Sequence, residues 1–157
     1  MKKLNNKGFT LVEVLAVIVI IALLGGIAIT SILGVIDKGK NVTEQSMINN
    51  IKTASQALYE EIDFSGSDLY KYNQDGTKGS ERIIIVDNSI EINLQTLVSN
   101  GFLDGTGEEE NKIITNPKTK ENIGACQIRI TKTINDTTYE TSYTITKIGT
   151  DSKCPNY

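Results

Sequence analysis

One acid stands at the mouth of an apolar run. Glu13 precedes Val14–Ile36, 23 residues without a charge, of which only Thr30 and Ser31 are polar. A carboxylate at a bilayer centre costs on the order of 3 kcal/mol on insertion scales, so an acid there asks for a partner. Lys2, Lys3 and Lys7 form a short basic leader before it, ending in Gly8. Other residues capable of chemistry are few. The chain has no histidine, which excludes His general bases, His triads and His-ligated metals. Gly76-Thr77-Lys78-Gly79-Ser80 lacks the spacing of a phosphate-binding loop, and neither a G-x-S-x-G elbow nor zinc spacing occurs. The carboxylate pairs Glu60-Glu61 and Glu108–Glu110 are consecutive and read as solvated surface. No catalytic residue, metal set or cofactor is expected. The acidic, glycine-rich stretch Asp104–Glu110 admits a calcium loop, although a solvated loop is the simpler reading. Asn41-Val42-Thr43 and Asn135-Asp136-Thr137 match the N-glycosylation sequon and carry little weight.

The elements that must position Glu13 begin with the run itself. As a helix, 23 residues rise about 35 Å, enough for a hydrocarbon core of roughly 30 Å. An ordinary secretory signal fits poorly, because the run is long and no small-x-small cleavage site follows it. Ala22, Gly26, Thr30 and Gly34 fall at successive i+4 positions, a small-residue stripe that lets helices approach closely. Beyond Ile36, Ile48, Ile51, Ala54 or Ser55, Leu58 and Ile62 recur at helical spacing. Asp37 and Gly39 are the candidate bend. The expectation is one helix from about Phe9 to Ile62, stopped by Ser65-Gly66-Ser67-Asp68, with its first half in a membrane.

The remainder reads as a small α+β head. Asp68–Gly79 is polar and reads as a loop. Ile83–Val86 and Ile90–Ile92 read as strand material joined by Asp87-Asn88-Ser89. Asn93 can cap a short helix carrying Leu94, Leu97 and Val98, which Asn100-Gly101 stops and onto which Phe102 and Leu103 fold back. Asn116-Pro117-Lys118-Thr119 is a turn. Cys126, Ile128 and Ile130 alternate with polar residues, and Tyr139, Thr141, Tyr143 and Ile145 do the same across a turn near Asn135-Asp136. Together they predict an antiparallel hairpin with one face on the long helix. Cys126 and Cys154 lie in the part expected outside the membrane. A disulfide there would close a loop of about 28 residues, worth roughly 3 kcal/mol or somewhat more; the alternative is two unpaired thiols.

At Lys7-Gly8-Phe9-Thr10-Leu11-Val12-Glu13 the sequence resembles the class III signal of type IV prepilins and pseudopilins. The resemblance is strong over the first 36 residues and rests on general layout beyond them. It implies a pilin-like α+β fold, with a long amino-terminal helix packed on a small antiparallel sheet. It implies cleavage by a membrane prepilin peptidase between Gly8 and Phe9, N-methylation of Phe9, and a role for Glu13 in docking and register. The domain layout is then 1–8 leader, 9–36 transmembrane and assembly helix, 37–62 amphipathic half, and 63–157 globular head. Where many members carry a proline near position 30 this chain has Thr30, leaving Gly25-Gly26 to loosen the helix.

The function implied is a structural subunit of a type IV pilus, built by self-association with other pilins and served by an assembly ATPase and a membrane platform protein. A pseudopilin of DNA uptake or of type II secretion is the neighbouring reading, and a membrane-anchored binding module that never polymerises is the reading from another class. The subunit is expected in the membrane before assembly and in a surface filament after it, with adhesion and twitching motility as the roles such filaments serve. Removing residues 1–8 takes away three lysines and no acid, leaving 13 basic and 19 acidic side chains and a net of −6. Direct nucleic-acid binding is therefore not expected.

Overall fold

The computed structural model describes residues 10–66, 68–108 and 112–157, and the side chains of these apart from 23–37. The chain divides into two compact units, Met1–Lys40 and Asn41–Tyr157.

Helix α1 runs from Leu11 to Ser65 without a break. Asp37 and Gly39 lie within it, because neither removes a backbone donor as proline would. It stops where Gly66 takes φ 63° and donates its N–H to the Ile62 carbonyl at 3.1 Å, a left-handed cap that glycine adopts cheaply. Among the described residues no helix is long and apolar enough to cross a membrane; the described side chains take in only Val14–Ala22 of the apolar run.

In the second unit, α1 turns Ile51, Ala54, Ser55, Leu58 and Tyr59 inward at three- and four-residue spacing. They meet a three-stranded antiparallel sheet of order β3-β4-β5, with β3 at Ser89–Asn93, β4 at Gln127–Ile134 and β5 at Thr141–Ile148. Ile90, Ile92, Ile128, Ile130 and Ile145 complete the same core. The alternation expected around Cys126–Thr131 holds: Cys126, Ile128 and Ile130 are buried, and Gln127 and Arg129 are exposed. Tyr139 departs from the expected pattern. It lies in the hairpin turn at φ 56° and is 82% exposed, and β5 starts only at Thr141.

Asn93 caps α2 (Leu94–Ser99) as expected, its Oδ1 accepting from Thr96 N–H at 3.0 Å. The cap has a second task. Asn93 Nδ2 donates to the Tyr72 carbonyl at 2.7 Å, holding the segment read in sequence as a loop. That segment instead contains a two-stranded antiparallel ladder, β1 (Tyr70–Tyr72) with β2 (Lys78–Arg82). The apolar run Ile83–Val86 is not a strand. Only Val86 bridges Ser89, across a tight turn with Asp87 and Asn88 at φ 48° and 56°. Ile83 reaches the core, whereas Ile84 and Val86 stay exposed. Asn116 Oδ1 accepts from Lys118 and Thr119 N–H, the turn expected at Asn116-Pro117.

Candidate functional site

Helix α1 starts with a pair of residues that satisfy each other. Thr10 is the residue before the first helical position, and its carbonyl already accepts from Val14 N–H at 3.3 Å. Its N–H donates to Glu13 Oε2 at 2.9 Å, and its Oγ1–H donates to the same oxygen at 2.9 Å. In return Glu13 N–H donates to Thr10 Oγ1 at 3.3 Å. This is a capping box, in which a Thr and a Glu three residues on close two open backbone donors reciprocally. Thr-x-x-Glu before an apolar run is its sequence signal. Thr10-Leu11-Val12-Glu13 carries that signal beside the charge of Glu13.

The surface behind this cap is apolar on every side. Leu11, Val12, Val14, Leu15 and Val17–Ile21 are all exposed, from 49% at Val19 to 81% at Leu11. A water-facing helix shows an apolar stripe and a polar face, whereas a helix apolar all round belongs among other helices or in lipid. Ala22, the first member of the small-residue stripe, is exposed. Gly26, Thr30 and Gly34 lie outside the described side chains, and Gly8 and Phe9 lie outside the described residues.

In the second unit Cys126 and Cys154 form a disulfide and are nearly buried. It ties the tail to the residue before β4. Lys147 adds to the tie, its Nζ donating to the carbonyls of Asp151 and Cys154. A second tie joins α1 to the hairpin. Lys132 Nζ donates to Asp63 at 2.5 Å and stands 6.0 Å from the ring centroid of Tyr59, and Tyr59 meets Tyr143 edge to face at 5.5 Å. The Asp63 carboxylate holds the Lys132 ammonium above its usual range, and burial pushes the Tyr59 and Tyr143 phenols up. These contacts fasten the helix to the sheet, and none includes a nucleophile beside a base.

For the Asp104–Glu110 stretch the described part shows Thr106 and Ile113 bridged by backbone bonds of 2.7 and 2.9 Å. Among the described residues there is no group of three His, Cys, Asp or Glu that could hold a metal ion.

Residues 3–29 match the family described as the prokaryotic N-terminal methylation motif, the class III signal motif of type IV prepilins. The matched span contains Gly8, Phe9, the capping box and the exposed apolar surface. The motif supports a type IV pilin-like or pseudopilin-like protein and indicates a structural rather than catalytic family. No curated protein and no solved structure matches.

Proposed function

We propose that this chain is a prepilin that becomes a structural subunit of a type IV pilus. The observation that carries this reading is the methylation motif over residues 3–29, with Lys7-Gly8-Phe9-Thr10-Leu11-Val12-Glu13 inside it. Gly8 lets the backbone enter a tight peptidase site that a Cβ would crowd. Cleavage there by a prepilin peptidase frees the amine of Phe9, which is then methylated. The precursor waits in the membrane, held by the apolar run. An assembly ATPase and a platform protein then move it into the filament.

The physical step is an exchange of surroundings for the helix. Leu11–Ile21 leaves lipid and packs against the same surface of neighbouring copies. Lipid is as apolar as leucine, so the gain comes from close fit rather than from burial alone. Ala22, Gly26, Thr30 and Gly34 would allow the closest approach. Glu13 then meets the Phe9 amine of an adjoining copy, and a copy docked one turn out of register leaves two unpaired charges in an apolar setting. Adhesion and twitching motility are the activities such a filament would serve.

The test is to shear filaments from the cell surface and determine the mass and amino-terminal residue of this subunit. A chain beginning at N-methylated Phe9 in those filaments is the expected result. A chain beginning at Met1, or anywhere after Ile27, overturns the prepilin reading. A methylated Phe9 chain confined to the membrane, with no surface filament containing it, replaces the pilus with a secretion or DNA-uptake pseudopilus.

A further inference from the structure

The three-stranded sheet ends on β5, and among the described residues no strand lies beside its outer edge. The ladder fixes which backbone groups that edge presents. Asn135 N–H donates to the Glu140 carbonyl at 2.9 Å at the hairpin end. Hydrogen-bonded pairs alternate along an antiparallel ladder, so Thr133–Ser142, Thr131–Thr144, Arg129–Thr146 and Gln127–Ile148 are the bonded ones. The bond from Lys132 N–H to the Asn88 carbonyl sets the same parity on the other side of β4. Thr141, Tyr143, Ile145 and Lys147 therefore turn their amides outward, and among the described residues no group outside the strand accepts from them.

Natural edge strands are blunted by charges, proline, bulges or a covering segment. Strand β2 carries such guards, with Lys78, Glu81 and Arg82 within five residues and an irregular register against β1. Strand β5 does not. It pairs in unbroken register over eight residues, contains neither proline nor acid, and bears a single charge, Lys147. The tail does not run along this edge either. It turns at Gly149, φ 88°, and Cys154 is bonded to Cys126, one strand in from the edge.

We infer that the outer edge of β5 is a strand-addition surface, and that its occupant is the same edge of a second copy, antiparallel across a two-fold axis. One register uses all four outward amides. With Thr144 opposite Thr144, Tyr143 faces Ile145 and Thr141 faces Lys147, giving about eight backbone hydrogen bonds across the contact. A slip of two residues either way leaves one of the four without a strand partner. In this register like charges do not meet, since each Lys147 stands opposite a threonine. The side-chain pairs are aromatic with β-branched, Tyr143 on Ile145, and hydroxyl with hydroxyl, Thr144 on Thr144 and Thr146 on Ser142. One charge in eight residues offers a charged foreign peptide little to read, so the pairing of its own side chains selects a copy of itself. A two-fold contact closes on itself and joins two heads; it does not extend a polar filament. The inference is therefore independent of the filament reading.

The test uses the full chain in detergent micelles. Thr144 is exposed, and in the stated register its two copies form a narrow pair with Cα atoms about 4.5 Å apart, inside the disulfide range of roughly 4.4–6.8 Å. Under mild oxidation Thr144→Cys is expected to form a covalent dimer, while Thr133→Cys, exposed on β4, stays monomeric. In sedimentation Thr144→Lys, which opposes two like charges at the centre, is expected to weaken the dimer roughly fivefold. Equal cross-linking of the two cysteine variants, or Thr144→Lys dimerising like the wild type, overturns the proposal. So does a wild-type chain that sediments as a monomer at every concentration.

Discussion

The carboxylate of Glu13 is already held by Thr10, whose N–H and hydroxyl both reach Oε2 at 2.9 Å while Glu13 N–H returns a bond to Thr10 Oγ1. Glu13 therefore has two separable properties, a cap for its own helix and a negative charge for a neighbour. A glutamine can take the first role and not the second.

Glu13→Gln and Thr10→Val divide these roles. Thr10→Val removes the cap hydroxyl, costs the helix start about 1 kcal/mol, and keeps the charge. Filament yield after shearing is expected to survive Thr10→Val and to fall sharply in Glu13→Gln and Glu13→Val, with insertion and cleavage intact in all three. Normal filaments from Glu13→Val would remove the docking role altogether. Loss in Thr10→Val with normal yield from Glu13→Gln would reduce Glu13 to a cap.

The bond between Cys126 and Cys154 closes a loop with a sequence separation of 28. Reduction is expected to lower stability by about 3 kcal/mol, seen as an earlier urea midpoint of the second unit's unfolding. Both sulfurs are nearly buried, so reductant should act slowly on the folded chain. An unchanged midpoint after confirmed reduction counts against the tail as a stabilising strap.

Asn93 serves three partners: Thr96 N–H at 3.0 Å, the Thr96 hydroxyl at 2.7 Å and the Tyr72 carbonyl at 2.7 Å. Asn93→Ala is expected to cost about 2 kcal/mol, a cap plus a half-buried hydrogen bond. Asn93→Asp keeps the cap and loses the donor to Tyr72, so its cost should fall between wild type and alanine. Hydrogen exchange at Tyr70–Tyr72 should then rise more than at Leu94–Ser99. Equal rises at both places would refute the split.

Tyr157 buries its hydroxyl without a hydrogen-bond partner among the described residues, and burial pushes its phenol well above the usual range. An unmet buried hydroxyl costs roughly 1–3 kcal/mol, so Tyr157→Phe is expected to be neutral or stabilising at pH 7. Tyr59 and Tyr143 are raised in the same direction by burial, and Lys132 by Asp63. Above about pH 10 the unfolded chain loses these protons first, so the folded state binds more of them. Stability should be complete below that pH and decline as pH rises through it, less steeply in Tyr157→Phe. A flat urea midpoint from pH 9 to pH 11 would contradict this.

The sequence by itself determined the elements whose signals are local. The periodicity of Ile51, Ala54 and Leu58 set the buried face of α1, with Ile62 half-buried against it and Ile48 half-buried outside the core; Asn93 and Asn100-Gly101 bounded α2, and the alternation from Cys126 to Thr131 set the inward face of β4. Lys7–Glu13 named the motif that residues 3–29 match. What only the tertiary structure decided depends on partners far along the chain. Tyr70–Tyr72 is only three residues long and Lys78–Arg82 shows no alternation of apolar and polar residues, yet they pair. Asn93 and Asn100 supply side-chain donors to the carbonyls of Tyr72 and Tyr70 from more than twenty residues away. At Gly79 a Cβ would lie 2.6 Å from the Lys71 carbonyl oxygen, so the ladder also needs a residue without one. Ile83–Val86, rich in strand formers, stays out of the sheet after one bridge, because propensity supplies a strand and not a neighbour for it. The cysteine pairing was open for the same reason. Spacing allows a bond, but only the meeting of the tail with the start of β4 makes one.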